Sequence, residues 1–317
     1  MSLIEKAVNK LGGGQEPPKT STPDEAIEAA ATPNRIEQAI EKKAQEPVSS
    51  APSAPRPEAE LVTARGSSSA SGLNTLTINV ERLKGGGFVT PDAERTEIAE
   101  EFRLIKRPLL TNALGQGTDA VSRGNMIMVT SSLPSEGKTF CTINLALSIA
   151  MEMDRTVLLV DADVAKPKLL QYLGVRAEKG LLDLLRSDSL GLPDVLLKTN
   201  IEKLTILPAG KSYKHATELL ASDAMNHLIE DLASRYSDRI VIFDSPPLLA
   251  TSEASVLAAH MGQIVMVVEA DRTPQAAVRE ALTQIEDSGA VISMLLNKTT
   301  APKGAGYYGY GYGKYGT

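Results

Sequence analysis

The sequence is short of the groups that staple proteins together or anchor them elsewhere. Its 317 residues contain one cysteine, Cys141, and no tryptophan. A lone thiol cannot close a disulfide within the chain, so a reducing compartment suits it and the fold must rest on burial. Aromatic residues are only 4% of the chain, which leaves core building to aliphatic side chains and methionine. No stretch approaches the roughly 18 uncharged apolar residues of a membrane span. The opening MSLIEKAVNKLGGG also lacks the apolar segment of a secretory leader. These absences point to a cytoplasmic protein that meets the inner face of the plasma membrane through a partner. A net charge of −6 excludes a nucleic-acid binder that works by general electrostatic attraction. His215, His227 and His260 are scattered without the spacing of a metal site.

What is present is unevenly distributed. Residues 12–72 are rich in Pro, Ala, Ser, Glu and Gly, a composition that buries too little apolar surface to offset chain entropy. Residues 1–87 are therefore expected to form a flexible arm, with 88–300 as the folded domain and 301–317 as a tail. Within the arm, Ser2 and Glu5 make a capping box ahead of the stripe Leu3, Ile4, Ala7, Val8 and Leu11. That spacing predicts an amphipathic helix over 2–11, which has no neighbouring core and is expected to dock elsewhere. Thr22-Pro23 and Thr32-Pro33 start two further short helix candidates, and Leu76, Ile78 and Val80 alternate as in a short strand over 75–81.

From Phe88 onward the patterning is regular. A helix is expected over 91–112, with Pro108 kinking or ending it. Apolar runs then recur: MIMVTS (126–131), TVLLVDA (156–162), KLTILPA (203–209), RIVIFDS (239–245), QIVMVVEA (263–270) and VISMLLN (291–297). Helical spacing fills the gaps near 138–152, 180–187, 214–235, 252–259 and 274–287. Strands apolar on both faces that alternate with helices predict an α/β fold of the P-loop type, a mostly parallel sheet flanked by helices.

The first of these runs leads into SSLPSEGKTF, residues 131–140. Ser132, Gly137, Lys138 and Thr139 fit the phosphate-loop pattern, with Ser132 in place of its first glycine. Loop N–H groups and a helix N-terminus bind phosphate oxygens, and Gly137 permits the backbone to approach them. Lys138 offsets charge on the β- and γ-phosphates, and the Thr139 hydroxyl suits Mg²⁺. Ser135, Glu136 and Phe140 complete the expected ATP contacts. Two later strands end in Asp161-Ala162-Asp163 and Asp244-Ser245-Pro246-Pro247. Carboxylates at those strand ends share the rim where such sheets bind ligands. Lys138, Asp161, Asp163 and Asp244 are the expected catalytic set, with Mg²⁺ held by Thr139, Asp244 and Asp163. Asp161 is the candidate acceptor of the attacking group's proton, although the order of roles between Asp161 and Asp163 stays open.

With SSLPSEGKT, VLLVDADVAKP, IVIFDSPP and a terminal tyrosine cluster in view, residues 83–317 resemble the bacterial tyrosine kinases of polysaccharide synthesis. MSLIEKAVNKL and LKGGGFVTP further resemble the subfamily encoded with exosortase-type exopolysaccharide systems. The resemblance implies an ATP-dependent protein-tyrosine autokinase that controls exopolysaccharide polymerisation or export. It implies a homo-oligomeric ring joined through Glu100, Arg103 and Lys106, with Lys106 standing where the family pattern has arginine. It implies adenine contact by Asn297, activation by the cytoplasmic segment of a membrane chain-length protein, and a cognate phosphotyrosine phosphatase. The tail GAGYYGYGYGKYGT supplies the expected acceptors Tyr307, Tyr308, Tyr310, Tyr312 and Tyr315, five of the eight tyrosines. The competing expectation is a switch ATPase of the MinD or ParA type that toggles assembly without tyrosine phosphorylation. Those cousins carry an extra lysine early in the loop, and residues 131–136 contain none.

Overall fold

The computed structural model describes residues 62–63, 74–91, 96–115, 121–187, 189–235 and 239–300. The helix expected over 2–11 and the five tail tyrosines lie outside these residues. The six apolar runs become strands β3 (Met126–Ser131), β4 (Thr156–Asp161), β7 (Leu204–Leu207), β8 (Arg239–Asp244), β9 (Gln263–Glu269) and β10 (Val291–Asn297). Two shorter strands, β2 (Asn74–Leu76) and β6 (Leu197–Thr199), complete one sheet of order β10-β9-β3-β8-β4-β7-β6-β2. All neighbouring pairs are parallel except β6 with β7. A separate two-residue pairing joins β1 (Val62–Thr63) to β5 (Val175–Arg176).

The period of two decides what each strand residue meets. Ile127, Val129, Val157, Leu159, Ile240 and Ile242 face one apolar layer, while Met126, Met128, Leu158, Val160, Val241 and Phe243 face the other. The first layer is closed by α2 (Glu97–Leu114) and α3 (Lys138–Ala150). The second is closed by α5 (Leu181–Arg186), α7 (Ala216–Leu220), α8 (Asp223–Arg235), α9 (Glu253–Ala258) and α10 (Gln275–Thr283). Helix α3 is buried from Lys138 to Ala150 apart from Phe140, because α2 covers the side that the sheet does not. A helix covered on both sides buries its polar residues Thr142, Asn144 and Ser148 along with its apolar ones.

Three expectations shift. Packing begins before Phe88: Leu76, Ile78 and Leu83 are each no more than 2% exposed and join the first layer. The Asn200 side chain accepts from the Ile78 N–H at 2.8 Å and donates to its carbonyl at 3.1 Å, and Asn79 caps α1 (Val80–Gly85). Pro108 does not end α2; it lies on the exposed face, where water can satisfy the carbonyl its missing N–H leaves free. The helix expected over 214–235 breaks at Ala221 and Ser222 into α7 and α8. Helices α4 (Leu169–Leu173) and α6 (Leu192–Val195) are too short to leave a periodic signal.

Candidate nucleotide site

Strand β3 delivers the chain to the loop at Ser131, and α3 takes it up at Lys138. The turn demands left-handed backbone at two positions, Ser135 at φ 72° and Gly137 at φ 100°. A side chain on Gly137 would also overlap the Asn297 amide, since its Cβ would lie 2.1 Å from Nδ2. The first backbone bond of α3 runs from the Cys141 N–H to the Gly137 carbonyl. Earlier N–H groups of this first turn have no carbonyl in the helix to meet, which is the condition for anion binding.

Sheet register brings the carboxylates alongside. Asp244 of β8 stands opposite Asp161 of β4 and Val129 of β3. The segment after β8 is laced to the loop's entry: the Leu248 N–H donates to the Ser131 carbonyl at 2.8 Å, and the Thr130 hydroxyl to the Pro246 carbonyl at 2.9 Å. Lys138 Nζ donates to Asp163 Oδ2 at 2.5 Å. Burial by itself would depress the Lys138 pKa, but Asp244, Asp163 and Asp161 outweigh it and hold the pKa above its ordinary value. Asp244 is fully buried, and burial drives its pKa up to about 6 against the pull of Lys138 and a hydrogen bond from Thr139. Burial, then the neighbouring Asp244 and Asp163, push the Asp161 carboxyl well above the usual range. The same environment raises the buried Cys141 thiol to about 12, through burial and Asp244, which makes it an inert packing group.

Three buried polar atoms around this centre lack a hydrogen-bond partner: Ser132 Oγ, Asp161 Oδ1 and Asp244 Oδ2. Buried polar atoms are seldom left unpaired, so these invite a ligand. Among the described residues no three ligating side chains are arranged to hold an ion unaided. That suits Mg²⁺, which takes one or two protein oxygens and completes its shell with water and phosphate. The unpartnered Asp244 Oδ2 and the Thr139 hydroxyl fit this role, and three carboxylates facing one ammonium leave negative charge for a divalent cation to balance.

The outer side of the loop is fully paired. Glu136 is 2% exposed, and its carboxylate accepts from the Leu133 N–H at 2.6 Å and from the Thr273 hydroxyl. Asn297 Nδ2 donates to the Glu136 carbonyl, and Lys298 Nζ to the Ser135 carbonyl, each at 2.8 Å. Asn297, expected at adenine, spends one of its two amide N–H groups on the loop. Glu136 and Phe140, expected at the nucleotide, turn their side chains elsewhere: the Phe140 ring lies 4.9 Å from that of Phe88, which leaves its backbone for phosphate.

Of the expected interface trio, Glu100 and Arg103 pair with each other at 2.7 Å on the outward face of α2. Lys106 turns inward instead. It is 5% exposed and reaches the Ser148 carbonyl and the Glu152 carboxylate, both at 2.6 Å. Residues that sequence reasoning missed include Thr142, whose hydroxyl donates to Asp244 Oδ1 at 3.2 Å. It sits one turn past Lys138, and that spacing was the signal available. Thr273 and Lys298 lie more than a hundred residues from the loop they hold and gave no local signal.

A family model described as an AAA domain matches residues 125–297. The succinoglycan biosynthesis transport protein ExoP of Rhizobium meliloti is 34% identical over 72% of this chain and 29% of its own length. The tyrosine-protein kinase CpsD of Streptococcus agalactiae is 31% identical over 71% of this chain and 91% of its own. A crystal structure of the chimerical protein CapA2B2 superposes with a TM-score of 0.58 at 26% identity, covering 70% of this chain and 100% of that one. The chain spans only 25–29% of the length of six curated relatives it matches. On its matched domain and its near-complete coverage of CpsD, the chain belongs to the bacterial tyrosine-protein kinase family, built on an AAA-type P-loop domain.

Proposed function

We propose that the protein is an ATP-dependent protein-tyrosine autokinase acting in exopolysaccharide biosynthesis. The observation that carries this reading is the buried Lys138–Asp163 pair, flanked by the unpartnered oxygens of Asp161 and Asp244 at the mouth of a phosphate loop. Phosphoryl transfer asks for positioning and charge neutralisation more than for covalent chemistry, and this group offers both. Mg²⁺ held by Thr139 and Asp244 would supply charge for the β- and γ-phosphates. Asp163 is committed to Lys138, so Asp161 is the group left to take the phenolic proton. Its raised pKa makes it a stronger base than an exposed aspartate. The tyrosine oxygen bonds to the γ-phosphorus, the bond to the bridging oxygen breaks, ADP departs, and the proton passes through Asp161 to solvent.

The acceptors we assign are Tyr307, Tyr308, Tyr310, Tyr312 and Tyr315, presented in trans by a neighbour. Each phosphate adds about −1.5 to −2 charges, so a modified tail repels its fellows and loosens the assembly. The half-buried Glu100–Arg103 pair on the outward face supports contact through α2, with the exposed Arg107 in the place that Lys106 vacates. No helix among the described residues is long and apolar enough to cross a membrane. On the family resemblance we assign activation to the cytoplasmic segment of a membrane chain-length protein, with removal of phosphate left to a phosphatase. The stretch LKGGGFVTP supports the narrower exosortase-linked assignment.

The test is incubation with Mg-ATP, with and without that cytoplasmic segment, followed by mass spectrometry beside Lys138→Met. Phosphate on residues 307–315 that is absent from the variant is the expected result. ATP consumed while the tail stays unmodified would replace the autokinase by a switch ATPase.

A further inference from the structure

The outer side of the phosphate loop carries contacts that the reading above does not use. Two strand ends converge on it. From the end of β9 comes Thr273, whose hydroxyl donates to the buried Glu136 carboxylate and accepts from the Glu269 N–H at 3.2 Å. From the end of β10 comes Lys298, whose ammonium bonds the Ser135 carbonyl at 2.8 Å and the Glu269 carboxylate at 3.0 Å. Each turn holds a non-glycine residue in left-handed backbone, Asp271 and Lys298, both at φ 58°. Such positions persist where surrounding contacts over-determine them. The Lys298 side chain is 43% exposed, so the core does not require it.

A trans peptide directs its N–H opposite to its C=O, and no cis bond occurs among the described residues. The Ser135 carbonyl is drawn to Lys298, so the Glu136 N–H must point to the other side. The Glu136 carbonyl is drawn to Asn297, so the Gly137 N–H is turned likewise. Pinning two carbonyls therefore aims two donors at the space where phosphates bind.

We propose that Lys298 and Thr273 are positioning residues for nucleotide phosphate, an outer clamp that sets the peptide planes of residues 135–137 from behind. Thr273 works through the Glu136 carboxylate, and Lys298, steadied by Glu269, works directly on the Ser135 carbonyl. The clamp rests on the nucleotide-site reading and is independent of whether a tyrosine is the acceptor.

The experiment is calorimetric titration of the full chain with MgADP, with melting temperatures measured beside it. Lys298→Met and Thr273→Val should each weaken MgADP about tenfold, the worth of one buried or charged hydrogen bond. Lys298→Arg and Thr273→Ser, which keep a donor in place, should stay within about threefold of the parent. Variants that lower the melting temperature while binding MgADP like the parent would reduce these residues to scaffolding and overturn the clamp alone. A parent protein that binds no MgADP would overturn the nucleotide site and the clamp with it.

Discussion

The two flanks of the phosphate loop are built on opposite rules. On the inner flank, at the ends of β4 and β8, three buried carboxylates crowd one lysine and two carboxylate oxygens lack partners, as does the Ser132 hydroxyl where the loop leaves β3. On the outer flank, at the ends of β9 and β10, Glu136, Thr273, Asn297 and Lys298 each meet a partner. An unpaired buried group costs stability, whereas a paired one roughly breaks even or helps. The inner flank is therefore a place where stability is given up for a ligand, and the outer flank is the frame that lets the loop stand beside it.

The comparison can be broken by substitutions on either side. The largest effect is expected from Lys138→Met. Besides abolishing turnover, it leaves Asp161, Asp163 and Asp244 buried without their cation, at a cost of about 3–5 kcal/mol in denaturant unfolding at pH 8. A cost below that of an ordinary surface lysine would mean the carboxylates do not depend on it. Next comes Asp244→Asn in the nucleotide-free protein. The folded-state pKa of Asp244 is raised to about 6 from an ordinary value near 3.9, so ionising it is harder folded than unfolded. Its favourable contribution is complete below the unfolded value and is lost as pH rises through about 6. The asparagine variant should thus be more stable than the parent at pH 8, by about 2–3 kcal/mol, and its stability should change less between pH 5 and 8. Equal pH profiles would show that this carboxylate is not strained. Smallest is Ser132→Ala, which removes a hydroxyl without a hydrogen-bond partner. It should shift unfolding by less than about 0.5 kcal/mol, in the stabilising direction. A loss near 2 kcal/mol would give Ser132 a structural duty and blur the contrast.

Much of the fold is legible in the sequence itself. Strands β3 and β10 fall on the residues their apolar runs mark, and the other four long strands end within two residues of expectation. Strands buried on both faces must read as continuous apolar runs, so composition alone reveals them. Asp161, Asp163 and Asp244 were legible because strand ends of a parallel sheet share a rim. Strand β2 shows only in part, since the alternation of Leu76, Ile78 and Val80 marks a strand over 75–81 while the paired strand stops at Leu76 and Val80 already begins α1; β6 leaves no mark, because three residues carry no period. Lys106 illustrates a second limit. Its spacing from Glu100 and Arg103 reads as one charged helix face, yet Ser148 of α3 and Glu152 just past its end draw it inside. Thr273 and Lys298 show the same limit at longer range, since a side chain's partner across the fold leaves no trace in local spacing.

The inward turn of Lys106 has a mechanical consequence. Helix α3 is 13 residues long, about 20 Å at 1.5 Å per residue. Its first residue is Lys138, and near its far end Lys106 of α2 grips the Ser148 carbonyl, with a second hold on Glu152 just beyond it. Midway along it Asn144 accepts the Val89 N–H at 2.7 Å, so the helix is held at two points along its length. Lys106 therefore ties the helix whose outer face carries the Glu100–Arg103 pair to the helix whose first residue is Lys138.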